Sequence, residues 1–113
     1  MKTYDLENRT FLFAKDVRKI SRKLIRTISN IEDLKQVIRS SGSVGANYIE
    51  ANESISKKDF IYRIKICRKE AKESRYFLKL LQINSDTANE INRLTQEAFE
   101  LTKIFGAILK KSG

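Results

Sequence analysis

The side chains with the most chemical scope in this chain are carboxylates in pairs. Glu50 and Glu53 form one pair, Glu70 and Glu73 the other, and in each the partners are three residues apart. On a helix that spacing puts both members on one face. Two such faces brought together could hold Mg²⁺ against a polyphosphate and assist its hydrolysis. The competing structural role is ion pairing of Glu50, Glu70 and Glu73 with Arg39, Arg68 or Arg75, beside Asn47. Other chemistries fail on residue type. The chain has no His, so neither a Ser-His-Asp nor a Cys-His nucleophile can be assembled, nor the Glu-x-x-His motif of di-iron bundles. Gly42-Ser43-Val44-Gly45 lacks the Gly-Lys-Ser/Thr ending of a phosphate loop. The single cysteine, Cys67, falls on an apolar stripe, where a thiol acts as a small hydrophobe. No metal and no cofactor is expected.

The elements that must position these residues are helices. Ser40 to Ala51 looks loop-like, yet Leu34, Val37, Ile38, Val44, Tyr48 and Ile49 keep a three-and-four step through it, which predicts one continuous helix. Its two interior glycines cost about 1 kcal/mol each relative to alanine. Ser41 and Gly45 share a face and would allow close approach of a neighbouring backbone. Around this hub the pattern predicts helices over about 5–28, 31–52, 57–81 and 86–109. Asp5, Asn30 (with Asp33) and Ser56 (with Asp59) are the expected N-caps. The apolar stripes are Phe13, Val17, Ile20, Leu24 and Ile28 on the first helix, then Phe60, Ile64, Cys67, Ala71, Ser74, Leu78 and Leu81 on the third. The fourth carries Ile91, Leu94, Ala98, Leu101, Phe105 and Ile108. Short connections make this an all-α, antiparallel up-down-up-down four-helix bundle, a single domain over residues 1–113, with residues 110–113 frayed.

The third helix carries more apolar surface than one seam needs. Tyr62, Ile66, Phe77 and Leu80 lie roughly 90–160° from its main stripe at 100° per residue. They either mark a helix central within the monomer or a second seam for self-association.

Bulk properties agree. Proline is absent and only four glycines occur in 113 residues, so little breaks a helix. No run approaches the roughly 20 apolar residues of a membrane span, and no signal-peptide pattern is present. With one thiol and no span, a cytoplasmic location is the expectation. The net charge of +9 favours polyanionic partners. Residues 1–31 contribute +5 and residues 56–83 contribute +6, while 32–55 contribute −2 and the remainder is neutral. Lys15, Arg18, Lys19, Arg22, Lys23 and Arg26 form one basic ribbon opposite the first stripe. Lys65, Arg68, Lys69, Lys72, Arg75 and Lys79 form a second. These are either solvated faces, phosphate-binding surfaces for RNA or DNA, or contacts to an anionic membrane surface. Tyr4, Tyr62 and Tyr76 could stack bases, although no sequence feature places them in a groove.

Ser40-Ser41-x-Ser43-Val44-x-Ala46-Asn47-x-x-Glu50-Ala51, followed by Ser56-Lys57-Lys58-Asp59-Phe60 and Lys69-Glu70-Ala71-x-Glu73-Ser74, resembles the four-helix-bundle proteins linked to intervening sequences of bacterial 23S ribosomal RNA genes. Asp5-Leu6-Glu7 extends the likeness to the start, and Phe77 stands where the pattern often has Trp. The resemblance implies an antiparallel bundle that assembles into a homopentameric ring, without established enzymatic activity. The accessory protein of diversity-generating retroelements looks like a relative; it is a basic pentamer that engages nucleic acid and a reverse transcriptase. The shared motif (Ser43, Asn47, Glu50, Glu70 and Glu73 here) then specifies bundle and ring rather than a reaction. The paired carboxylates also look loosely like those of all-α nucleotide pyrophosphatases, but the second pair ends in Glu instead of Asp. The resulting expectation is a non-enzymatic homo-oligomer, a pentamer, that binds RNA or DNA without reading bases. A scaffold with no nucleic-acid role is the first alternative and a Mg²⁺-dependent pyrophosphatase the second.

Overall fold

The computed structural model describes residues 5–113. Four helices follow one another: α1 (Leu6–Ser21), α2 (Ile28–Asn52), α3 (Lys57–Leu80) and α4 (Ala88–Ser112). Cross-helix contacts fix their directions. Between α1 and α2, Glu7 accepts from Asn52 and Arg18 donates to the Ile38 carbonyl. Between α2 and α3, Ser40 meets Ser74, Val44 meets Cys67 and Asn47 meets Arg63. Arg75 lies over Phe99 while Arg68 lies beside Gly106, which orders α3 against α4. Arg9 pairs with Glu97 and Asp16 with Arg93, which closes α4 onto α1. In each pair one number rises as the other falls, so every neighbour is antiparallel. The diagonal helices make no close backbone approach among the described residues.

The expected stripes meet along the axis. Phe13, Val17, Val37, Val44, Ile64, Cys67, Leu78, Leu94, Leu101 and Phe105 are buried. The α2 helix passes unbroken through the serine-and-glycine run. Ser40 shares a 2.7 Å hydrogen bond with Ser74, and Ser41 donates to the Ile38 carbonyl. No glycine has a positive φ, so these glycines provide room rather than unusual backbone. A Cβ on Gly45 would sit 3.0 Å from Thr10 Oγ1 of α1.

The ends differ from the sequence expectation. The first helix stops at Ser21 instead of Ile28, and the second starts at Ile28 instead of Ile31. Three like-charged i,i+4 pairs (Arg18/Arg22, Lys19/Lys23, Arg22/Arg26) weigh against continuing α1. Thr27, in an extended conformation, caps α2 by accepting from the Asn30 amide. Ile28 is therefore the exposed first residue of α2, not part of the α1 stripe, while Leu24 is buried in the connector. Asn30 is not a cap. Its side chain is fully buried and donates to the Ile25 and Gln82 carbonyls while accepting from the Gln82 amide.

Asp5 occupies the α1 N-cap position without a side-chain capping bond, whereas Ser56 accepts from the Asp59 amide as expected. The fourth helix begins at Ala88 after a turn in which Asn84 Oδ1 accepts from the Asp86 and Thr87 amides, and it continues through 110–112 to Ser112. Lysines at 110 and 111 complement the helix C-terminus and favour that extension.

Candidate nucleic-acid interface

The two basic ribbons have different fates. Along the α1–α4 seam, cations meet carboxylates. Arg9 makes a two-pronged pair with Glu97 at 2.7 and 2.8 Å, and Arg93 bridges Glu90 and Asp16 at 2.7 Å each. The Arg93 guanidinium holds the Glu90 carboxyl below its usual range, helped by the fields of Lys19 and Lys23. Arg18 turns to α2 and donates to the Ala14 and Ile38 carbonyls. Lys15 stands beside the Phe11 ring. Arg22, Lys23 and Arg26 lie in the connector beyond Ser21 and are exposed there, not on a helical face as expected. The α1 ribbon is thus shortened, and although none of its six cations forms an ion pair among the described residues, Lys19 and Lys23 stand in the field of Glu90.

The α3 ribbon stays on one unbroken helix. Among the described residues, Lys65, Arg68, Lys69, Lys72, Arg75 and Lys79 form no ion pair. At 100° per residue they occupy one side of the outer surface of α3, the side toward α4. Two adjoining grooves run along that side. Lys65, Arg68, Lys69, Lys72 and the carboxylate of Glu73 line the first, with Leu109 opposite, and Lys72, Arg75, Lys79 and Phe99 line the second. Gly106 leaves space for Arg68 to lie across α4, since the nearest approach to a Cβ there is Arg68 Nε at 3.7 Å.

The paired carboxylates are kept apart. Antiparallel register sets Glu70 and Glu73 opposite Arg39, which donates to both, with the Arg39–Glu70 contact at 3.2 Å. Glu50, three residues beyond Asn47, lies near the level of residues 60–62 of α3. That is about 15 Å along the axis from Glu70 at 1.5 Å per residue. No group of three or more potential metal ligands occurs among the described residues. Of the shared motif, Glu70 is buried, Asn47 Nδ2 donates to the Ser43 carbonyl and hydroxyl, and Arg63 donates to Asn47 Oδ1. Glu50 is exposed. Four of the five motif residues therefore knit α2 to α3 or brace that contact. Burial pushes the Cys67 thiol up to about 12, which leaves it protonated and inert near neutrality.

The second apolar stripe of α3 divides. Phe77 packs partly against the core and Leu80 lines the α3–α4 groove, so neither belongs cleanly to an outward seam. Tyr62 is exposed on the outer surface of α3 beside Lys58, Ile61 and Lys65, and Ile66 is half-buried. Of the candidate stacking tyrosines, Tyr76 lies in the second basic groove and Tyr62 outside it, while Tyr4 falls outside the described residues. Phe99 was not anticipated as a site residue. Its signal was present, an aromatic one position off the Ala98 core stripe.

These features define a basic, all-α four-helix bundle whose motif residues join α2 to α3. Residues 2–107 match the family described as 23S rRNA-intervening sequence protein, and the chain belongs to that family. A crystal structure of a protein of unknown function from the S23 ribosomal protein family of Bacteroides thetaiotaomicron is similar throughout. It is 28% identical, with a TM-score of 0.77, over 92% of this chain and 97% of that one. A search of curated proteins found no match. No helix among the described residues is long and apolar enough to cross a membrane.

Proposed function

We propose that this chain is a non-enzymatic, cytoplasmic, self-assembling bundle that binds RNA or DNA through phosphate contacts, with α3 as the principal contact helix. The observation that carries the reading is the row of six cations on α3 with no carboxylate partner among the described residues. Unscreened like charges repel along a helix, and a polyanion relieves that repulsion while releasing its own counterions. The family's description names a ribosomal RNA intervening sequence, which favours RNA among the possible polyanions.

Self-association draws support from two surfaces on adjacent sides of the rod. At 100° per residue Ile66 lies on the α2–α3 side, at the height of Gly45, with Tyr62 one turn away on the outer surface of α3. The neighbouring α1–α2 side holds a groove lined by Phe11, Gly42, Gly45 and Ile49. A head-to-tail contact between unlike surfaces at equal height closes into a ring instead of stacking into a fibre. Adjacent sides of a four-sided rod meet at about 90°, the corner of a ring of four, and an opening to about 108° gives the pentamer that the family resemblance implies.

Filter binding of labelled RNA and DNA at two salt concentrations tests the nucleic-acid reading. Affinity should fall steeply, by about 0.9 log units per neutralised duplex phosphate per log unit of salt. Absence of binding to any nucleic acid at low salt would leave an oligomeric scaffold.

A further inference from the structure

The second groove between α3 and α4 holds more than charge. Lys72, Arg75, Tyr76 and Lys79 form its α3 wall, Leu80 closes one end, and Phe99 faces them from α4, around a space of about 430 Å³. No carboxylate contributes to this lining. Tyr76 is 61% exposed. It also meets the Phe77 ring in a T-shaped contact, with centroids 5.2 Å apart and planes at 81°. Phe99 sits beneath two cations, the Arg75 guanidinium at 4.7 Å and the Lys103 ammonium at 4.9 Å. Arg75 Nε is buried there with no hydrogen-bond partner. An open aromatic face, an apolar end and flanking cations together match a nucleotide, with its flat base and its phosphate. They do not match a smooth charged rod.

We infer that this groove takes a single-stranded segment of RNA or DNA, one base stacked on Tyr76 and its flanking phosphates held by Lys72 and Lys79. The strand continues along Arg68, Lys69 and Lys65 in the adjoining groove. The inference rests on the phosphate-binding reading above and narrows it. A duplex keeps its bases stacked on one another and offers no free π-face, whereas an unpaired base does. An acidic peptide could satisfy the lysines but has no use for the tyrosine. Stacking is indifferent to base identity, so the site distinguishes strand state instead of sequence.

The test is fluorescence anisotropy on the full chain at low salt. The probes are labelled oligo(U) and oligo(dT) of about 20 nucleotides, longer than the roughly 4–16 nucleotides typical of such sites, and a mixed-sequence duplex of the same length. Both single strands should bind more tightly than the duplex. Tyr76→Ala should weaken single-strand binding by about five- to a hundredfold, the range for loss of one stacked base, with the salt slope unchanged. Tyr76→Phe should bind as the parent does, and Lys72→Ala should lower the salt slope. Tyr76 is exposed, so circular dichroism of the Ala variant should match the parent. Equal affinity for single strand and duplex with Tyr76→Ala neutral overturns the inference and leaves phosphate binding standing. Displacement of the oligonucleotide by poly-glutamate as readily as by unlabelled strand, again with Tyr76→Ala neutral, overturns it in favour of a general anion surface. No binding to any nucleic acid overturns both readings together.

Discussion

The Asn30 carboxamide and the Gln82 backbone exchange two hydrogen bonds, of 3.0 and 2.9 Å, across 52 residues of chain. Asn30 also donates to the Ile25 carbonyl at 2.9 Å. One buried side chain therefore ties the α1–α2 connector to the α3–α4 connector at the same end of the bundle. Replacing it strands an amide and two carbonyls. Asn30→Ala should cost about 2–4 kcal/mol, from lost hydrogen bonds and unmet buried polar groups, measured by urea unfolding. Asn30→Asp should cost at least as much, because a carboxylate cannot donate to either carbonyl. A loss below about 0.5 kcal/mol, the low end for a single hydrogen bond, would show that the connectors hold without this tie.

Two glycines inside helices should respond to alanine in opposite directions. At Gly45 a new Cβ would lie 3.0 Å from Thr10 Oγ1 and 3.4 Å from Thr10 Cβ. Overpacking against α1 costs about 1–3 kcal/mol and outweighs the helix-propensity gain of about 1 kcal/mol. At Gly106 the nearest atom is 3.7 Å away on a flexible arginine, so Gly106→Ala should stabilise by about 0.5–1 kcal/mol. Thermal midpoints of the two variants should fall on either side of the parent. Equal shifts would mean that α1 does not seat closely on Gly45.

Cys67 should report opening of the core. Its buried thiol donates to the Val44 carbonyl and keeps its proton to about 12, against an ordinary value of 9.0. Iodoacetamide at pH 8 should label the native chain slowly and the urea-unfolded chain fast, with the change tracking loss of helix. The sign with pH follows from linkage. Above pH 9.0 the unfolded thiol ionises while the folded one does not until about 12. This group therefore lowers stability as pH rises through that window. Rapid, stoichiometric labelling of the folded chain would contradict the packing of α2 on α3.

If copies associate through the α2–α3 side, a charge there should separate them. Ile66→Lys should yield smaller particles by light scattering with helix content unchanged, because Ile66 is only half-buried within one protomer. An unchanged mass would place the contact elsewhere.

Much of the bundle was legible because its stripes are regular: Ile64, Cys67, Ala71 and Leu78 face the axis as their spacing demands. The helix through Ser40–Gly45 was legible for the same reason, since Val44 and Tyr48 keep the beat. What periodicity cannot convey is longitudinal register. Glu50-x-x-Glu53 and Glu70-x-x-Glu73 read as potential partners until the Ser40–Ser74 contact shows them offset along the axis. The end of α1 was misplaced because Leu24 and Ile28 continue its apolar beat. Leu24 reaches the core from a connector, and Ile28 does not reach it at all. Asn30 was misread for a related reason, because a buried polar clamp and a helix cap draw on the same residue type. The groove around Tyr76 and Phe99 joins two helices, and no single stretch of sequence contains it.

The unequal treatment of charge on the two sides of the rod has a dynamic consequence. A net +6 on residues 56–83, which carry α3, against −2 on residues 32–55, which carry most of α2, gives the molecule a transverse electric moment. If a polyanion is the partner, as proposed, its field exerts a torque on that moment, turning α3 inward before the surfaces touch. Productive collisions then become more frequent than chance orientation allows, and added salt erodes the advantage before it dissolves the complex.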